Sequence, residues 1–343
     1  MRKKRRPGRY VLPTFLALVL MMGMAYVLAP QTIDPARSAD TTATLATEET
    51  TPAPVVPRAT AAPAITLTPA PKPKKTRVPK PKITELPSLT PSEPPPEPPL
   101  ELTVATFNVL GDSHTRPGGN KPGWASSANR TRWTVQLLNQ HGVDVVGLQE
   151  IEKVQVNQFR NVAGGGWEIA PGSHAEAIAW RRSEWDLVQR RSIGVPYFRG
   201  KIRQMPVVQL RDTASGRLAW FATFHNPASV KRVGNQARWR ASATQRQIGL
   251  ANELRPSGDP VFIIGDMNEK ESYFCKFTGA TGMIAANGGS NNGSCNPPRP
   301  SKIDWIFGSR EVQFSGYVAD LSPLVRRTAD HPFVVARALV PGS

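Results

Sequence analysis

Residues 31–99 carry 17 of the 34 prolines of this chain and not one Phe, Trp or Tyr. A stretch without aromatic anchors or regular apolar runs cannot bury enough surface to offset the entropy of ordering it. It is expected to be a disordered Pro/Thr/Ala-rich linker. Folding is thereby confined to residues 100–343, which hold all eight tryptophans, a length at the upper end for one core. Within the linker, TPAPVVP, PKPKKTRVPKPK and PSEPPPEPP favour extended polyproline II. At about 3.1 Å per residue such a spacer reaches on the order of 200 Å, enough to carry a domain through a cell wall. Its Lys-rich middle reads first as a solvated charge run, with contact to acidic wall polymers as the alternative. Its threonines are O-glycosylation candidates on composition alone.

Ahead of the linker, residues 1–10 include Arg2, Lys3, Lys4, Arg5 and Arg6, and residues 11–30 are uncharged and mostly apolar. As a helix, Val11 to Ala29 spans roughly 28 Å, close to the bilayer core of about 30 Å. The basic cluster is expected to stay cytoplasmic, which makes residues 11–30 a signal anchor and everything beyond them extracellular. A cleaved signal peptide, giving a secreted protein, is the competing reading. Against it, Pro30 directly follows the small residues that would mark a cleavage site. Cys275 and Cys295 are the chain's two cysteines. An exported protein would pair them, and closing about 20 residues is worth roughly 3 kcal/mol. Free thiols or a metal pair are the alternative.

Of the formal charge of +17, the part beyond the linker keeps 29 Lys or Arg against 19 Asp or Glu. A basic surface concentrates polyanions such as nucleic acid, inositol phosphates or anionic lipid heads. The 22 Arg against 7 Lys there suit bidentate phosphate contacts, although a GC-rich genome would produce the same bias.

The runs LTVATFN, VDVVGLQE, AIAW, RLAWFATFH, PVFIIGDMN and KIDWIF read as buried strands, and ANRTRWTVQLLNQHG and NQARWRASATQRQIGLANELR read as helices. Strands both adjacent and interleaved with helices predict an α/β or α+β domain of packed sheets flanked by helices. Asn108, Glu150, His225, Asp266, Asn268, Asp330 and His331 stand at or just beyond the ends of apolar runs. Singly, each reads as a turn residue or helix cap. Together they are hard oxygen donors, amides and imidazoles without a thiol, a set suited to Mg²⁺, Mn²⁺ or Ca²⁺ rather than structural zinc.

The ordered series TFNVLG, VVGLQE, FHNPA, IIGDMNE, KIDWIFGS and ADHPFVV resembles the endonuclease/exonuclease/phosphatase superfamily, which includes deoxyribonuclease I, abasic-site endonucleases, inositol polyphosphate 5-phosphatases and bacterial sphingomyelinases. The resemblance implies a four-layer α/β/β/α sandwich, two mixed β-sheets packed face to face with helices outside. It implies Glu150 as direct metal ligand, with Asn108 beside it and Asp330 adding charge. Asp266 and Asn268 would orient the attacking water and bind phosphoryl oxygens. His331 would handle a proton with its tautomer held by Asp304, and His225 would pair with Glu176. Arg203 matches a phosphate-contacting Arg of the deoxyribonuclease branch. The cysteine pair lies where that enzyme has a disulfide. Departures are ADH for SDH or TDH, GDMN for GDFN, and QEIEK without the Arg that follows the glutamate in deoxyribonuclease I. His114, His141 and His174 match no motif and read as surface or loop histidines, while the Gly-rich LGDSHTRPGGNKPGW and PGSH loops would shape access.

The resulting expectation is a monomeric, membrane-tethered, metal-dependent phosphodiesterase acting on extracellular DNA or RNA. Two alternatives are hydrolysis of phospholipid or inositol phosphate headgroups and a catalytically silent nucleic-acid-binding module.

Overall fold

The computed structural model describes residues 96–300 and 302–342. The expected cytoplasmic segment, the anchor and nearly all of the linker lie outside the described residues. Within them no helix is long and apolar enough to cross a membrane.

Strands and helices are numbered in chain order. One six-stranded sheet is built from β1 (Leu100–Asn108), β2 (Val145–Gln149), β3 (Trp167–Pro171), β4 (Glu176–Arg181), β13 (Gln313–Asp320) and β14 (Phe333–Val340), in the order β13-β14-β1-β2-β4-β3. The other contains β5 (Trp185–Pro196), β6 (Ile202–Asp212), β7 (Leu218–His225), β8 (Val261–Asp266), β9 (Ile284–Ala285) and β12 (Asp304–Gly308), in the order β5-β6-β7-β8-β12-β9. Each sheet is mixed, with one parallel pair at its centre, β1 with β2 and β7 with β8. A two-stranded ribbon joins β10 (Ser290–Asn291) to β11 (Cys295–Asn296). The helices are α1 (Asp112–Thr115), α2 (Ser127–Gln140), α3 (Lys153–Ala163), α4 (Ala237–Leu254), α5 (Glu271–Thr281) and α6 (Pro323–Thr328).

Three apolar cores separate four layers. Val135, Leu138, Val156 and Phe159 pack α2 and α3 on the outer face of the first sheet, and Leu250, Leu254, Phe274 and Phe277 pack α4 and α5 on the outer face of the second. Between the sheets lie Val104, Ile178, Trp180, Phe221, Phe262, Ile264 and Ile306. The chain thus forms the expected α/β/β/α sandwich. Alternation along the strands does the sorting. In β8, Phe262 and Ile264 face the other sheet while Val261 and Ile263 face helices, and in β1 Leu102 and Val104 face inward while Ala105 and Phe107 face out. Gly147 in β2 lets the sheets touch, because a Cβ there would fall 2.5 Å from Thr223 Oγ1.

Local signals explain the helix ends. The Ser126 side chain accepts from the Asn129 amide at the start of α2, an N-cap worth about 1 kcal/mol. At α3, Glu152 and Gln155 form a reciprocal capping box. A disulfide joins Cys275 in α5 to Cys295 in β11, closing the Gly- and Asn-rich excursion.

Candidate active site

The inward alternation continues one residue past the apolar seam, and there it becomes polar. Asn108 ends β1, Gln149 ends β2, His225 ends β7 and Asp266 ends β8, while Glu176 and Asp304 begin the antiparallel β4 and β12. Register pairs these positions directly: Asn108 with Gln149, Gln149 with Glu176, His225 with Asp266, and Asp304 with Asp266. Six polar side chains therefore converge at one end of the sandwich, all buried. Gln149 bridges the sheets, donating to Thr223 Oγ1 at 2.9 Å and Thr106 Oγ1 at 3.0 Å.

Two carboxylates meet on one amide. Asn108 Nδ2 donates to Glu150 Oε1 at 3.2 Å and to Asp266 Oδ2 at 3.3 Å. Glu150 follows its strand with φ of 57°, a conformation costing an L-residue roughly 1–2 kcal/mol. The Gly111 amide holds it there, donating to Oε2 at 3.0 Å. Burial alone would raise the Glu150 pKa, but His225, the Gly111 N–H, His114 and Asn108 outweigh it, and the pKa is lowered. Asp266 behaves oppositely. Burial and the neighbouring Asp304 push it up to about 6, although the Asn268 amide donates to its Oδ1 at 2.9 Å. Gly265, before it, has φ of 143°, and a Cβ would lie 2.0 Å from the Phe224 carbonyl oxygen, so only glycine fits.

His331 and Asp304 form the closest imidazole–carboxylate pair, with Nδ1 at 2.9 and 3.2 Å from the two carboxylate oxygens. A carboxylate only accepts, so Nδ1 carries the proton, and Nε2 lies 3.7 Å from Asp266 Oδ2. Burial lowers the His331 pKa, but the Asp304 hydrogen bond and charge prevail and push it up to about 10. His225 contrasts with it. Fully enclosed, its pKa is lowered by desolvation; its Nε2 lies 3.6 Å from Asp266 Oδ2 and its Nδ1 has no hydrogen-bond partner.

Four expected positions have further partners within the fold. Glu176 lies 3.9 Å from His225 Nδ1, in ion-pair range but not hydrogen-bonded, because its Oε1 accepts from Arg203 Nη1 at 3.1 Å instead. Burial raises the Glu176 pKa nonetheless. Arg203 is thus bound to a buried carboxylate, and its guanidinium sits 3.5 Å from the centroid of the Tyr197 ring. Asp330 stays at the surface, ion-paired with Lys121. Asn268, at φ of 50°, donates from Nδ2 to the Asn226 carbonyl at 2.8 Å.

The histidines outside the motifs divide. His114 is no bystander: its Nε2 lies 3.4 Å from Glu150 Oε2, and its Nδ1 is 2.7 Å from Asn120 Oδ1. His141 pairs with Asp320 and packs on Phe333, and His174 contacts Ser173 Oγ. Above the site opens a cleft of about 610 Å³ lined by His114, Lys121, Tyr197, Arg203, Lys231 and Arg232 among others. The Gly-rich loop after β1 therefore does border the site. A residue absent from the motif reading supports that loop: Arg130 of α2, 1% exposed, donates to the carbonyls of Val109 and Leu110 at 2.5 Å each and reaches the Thr328 carbonyl at 3.4 Å. Its guanidinium ties the loop behind Asn108 to the segment before Asp330 and His331.

The model of the family described as Endonuclease/Exonuclease/phosphatase matches residues 105–331, a span that begins in β1 and ends at His331. The chain belongs to this family. Its members are phosphoric ester hydrolases dependent on a divalent metal, and the protein is an enzyme of that class. No curated protein matches the chain, whereas solved structures share its fold. The human Nocturnin catalytic domain with bound sulfate superposes with a TM-score of 0.54 at 17% identity, covering 71% of this chain and 97% of that one. The mannosyl-6-phosphatase Bt3783 of Bacteroides thetaiotaomicron gives 0.52 at 19% identity, covering 70% and 99%. D. rerio TDP2 complexed with single-strand DNA product gives 0.51 at 19% identity, covering 69% and 98%.

The residues present fit the family's hard cation. Glu150 and Asp266 converge within reach of the Asn108 amide with no thiolate nearby, an oxygen donor set. Among the described residues, Asp266, Asp304 and His331 also bring ligand atoms within 4.8 Å of one another. In that trio, however, Asp304 and His331 already satisfy each other through a proton on Nδ1, an arrangement that suits proton handling better than ligation.

Proposed function

We propose that this chain is an exported, membrane-tethered nuclease that hydrolyses phosphodiester bonds of extracellular DNA or RNA with Mg²⁺ or Mn²⁺. The observation that carries the substrate class is the cleft. Lys231 and Arg232 border it beside Tyr197 and Phe198, together with Lys121 and Arg203, which are already paired with Asp330 and Glu176; this supplies cations for a phosphate backbone and rings for bases. Among the described residues, Lys231 and Arg232 have no carboxylate within ion-pair distance, so their charge is free for a polyanion. The single-strand DNA product on D. rerio TDP2 and the sulfate on human Nocturnin accord with such a ligand.

Glu150 would hold the ion directly, with Asn108 beside it acting through water or on a phosphate oxygen and fixing the two carboxylates from its Nδ2, and with Asp330 adding charge at the rim. When bound, a divalent ion offsets phosphate charge and acidifies water. Asp266, fixed by the Asn268 amide and Asn108, orients the attacking water. His331, kept protonated by Asp304, offers its Nε2 hydrogen to a phosphoryl or leaving oxygen. Asn268 spends one amide hydrogen on the Asn226 carbonyl and keeps the other for phosphate. For location, the support is the basic cluster followed by an uncharged run at residues 2–30 and a disulfide suited to an oxidising compartment; residues 31–99 serve as the spacer.

A second reading, hydrolysis of phospholipid or inositol phosphate headgroups, draws on Val230, 43% exposed in the cleft lining, and Ile202, 51% exposed in the neighbouring cavity. The test is a substrate panel for the full-length protein in detergent: plasmid DNA, RNA, sphingomyelin, inositol polyphosphates and mannose 6-phosphate. Metal-dependent nicking or RNA cleavage supports the nuclease. Turnover of headgroups or sugar phosphate alone overturns it.

A further inference from the structure

Beyond Lys121, the loop that borders the catalytic cleft turns and lines a second cavity of about 480 Å³, formed by Pro122, Trp124, Trp133, Arg326 and Arg327 with neighbouring backbone. Lys121 itself faces the catalytic cleft, so one four-residue segment walls both spaces. The second cavity has no part in the site described above.

Its chemistry is specific. Trp124 and Trp133 are half-buried, anchored in the molecule while keeping part of each indole in the cavity. Arg327 lies over the Trp133 ring at 5.2 Å from its centroid. Arg326 and Arg327 are exposed, and among the described residues neither guanidinium has a carboxylate within ion-pair distance. Arg326 uses only its Nε, donating to the Leu321 carbonyl at 2.8 Å, which leaves its terminal nitrogens free. Aromatic faces interleaved with unneutralised arginines are what single-stranded nucleic acid requires: stacking surfaces for unpaired bases and forks for phosphate.

We infer that the Trp124–Trp133–Arg326–Arg327 cavity is an accessory binding site for single-stranded nucleic acid, engaging a strand beyond the bond held in the catalytic cleft. This rests on the nuclease reading for its substrate class. The strand crosses the Lys121–Trp124 loop, so long substrates gain contacts that a dinucleotide cannot reach. The enzyme then prefers single-stranded or frayed chains over fully stacked duplex, whose bases present no free face.

The test is fluorescence anisotropy of a labelled 20-nucleotide DNA strand with the full-length protein in EDTA, which prevents cleavage, alongside metal-dependent hydrolysis of a dinucleotide. Arg326→Gln with Arg327→Gln removes two phosphate contacts, so the slope of log affinity against log salt should become shallower by about 1.4, at about 0.7 per phosphate for a single strand. Trp133→Leu should weaken binding about tenfold, and Trp133→Phe should recover most of it. Dinucleotide hydrolysis should be unchanged in all three, which also shows that the fold survives. Wild-type affinity and salt slope in the double-arginine variant would overturn the proposal, as would failure of the wild type to bind the strand. A wild type that binds the strand through this patch but cleaves no nucleic acid would leave the patch standing and sink the nuclease reading.

Discussion

Replacing Asp304 with Asn should return the His331 imidazole to an ordinary titration and make the stability cost of the change depend on pH. Asp304 is the principal cause of the raised His331 pKa, accepting from Nδ1 at 2.9 Å. His331 titrates at about 10 in the fold against about 6.5 for a free imidazole. At 1.36 kcal/mol per pH unit this caps the pair at about 5 kcal/mol; because the imidazole keeps 18% of its side-chain exposure, a charge-assisted hydrogen bond of about 2 kcal/mol is the working figure. The sign follows from linkage: the folded pKa is raised, so the stabilisation is complete below pH 6.5 and disappears as pH rises through 10. Urea unfolding of the wild type and Asp304→Asn, in EDTA, should differ by about 2 kcal/mol at pH 6 and by much less at pH 10.5. NMR of the imidazole should show its pKa falling by more than one unit in the variant. An equal stability gap at both pH values, or an unmoved imidazole, would refute the coupling.

Three further outcomes follow from the geometry. Reducing the Cys275–Cys295 disulfide, which closes a separation of 20 residues, should cost about 3 kcal/mol, read as a lower midpoint in denaturant with and without reductant. Gly265→Ala drives a Cβ to 2.0 Å from the Phe224 carbonyl oxygen and should cost more than 3 kcal/mol or prevent soluble expression. Arg130→Met leaves the carbonyls of Val109 and Leu110 without their buried donor and should cost about 3 kcal/mol, with a larger loss in kcat than in substrate affinity because the loop behind Asn108 loosens.

The convergent site was readable where it coincides with a strand end. Asn108, His225 and Asp266 are polar residues at the ends of apolar runs, but those strands are buried on both faces, so the sequence shows where the polar residues surface and not which face meets the partner sheet; Asp304 was legible only through the family resemblance. Glu176 was likewise legible only through the resemblance, and its hydrogen-bond partner was not, since Arg203 reaches it from the other sheet, 27 residues away. The inter-sheet bridge of Gln149 to Thr223 spans 74 residues and leaves no local trace. His114 sits on a four-residue helix in a loop, with nothing in its neighbours to aim it at Glu150. Arg130 did have a signal: it occupies the buried stripe of α2 with Thr134, Leu137 and Leu138, a charge where helical periodicity calls for an apolar residue. Strands β5 and β13 are exposed edges, where no buried face enforces alternation; β6 and β14, inside their sheets and largely buried, also lay outside the runs read as strands.

Hydrolysis through a cation held at Glu150 is probed by comparing wild type with Glu150→Gln on plasmid DNA and RNA across a Mg²⁺ and Mn²⁺ titration, with EDTA as the zero point. Cleavage by the wild type should saturate with metal and stop in EDTA, and the variant should fold normally but lose about two orders of magnitude or more of activity at every metal concentration. Full activity in EDTA, or a Glu150→Gln enzyme that matches the wild type, would contradict that role of Glu150.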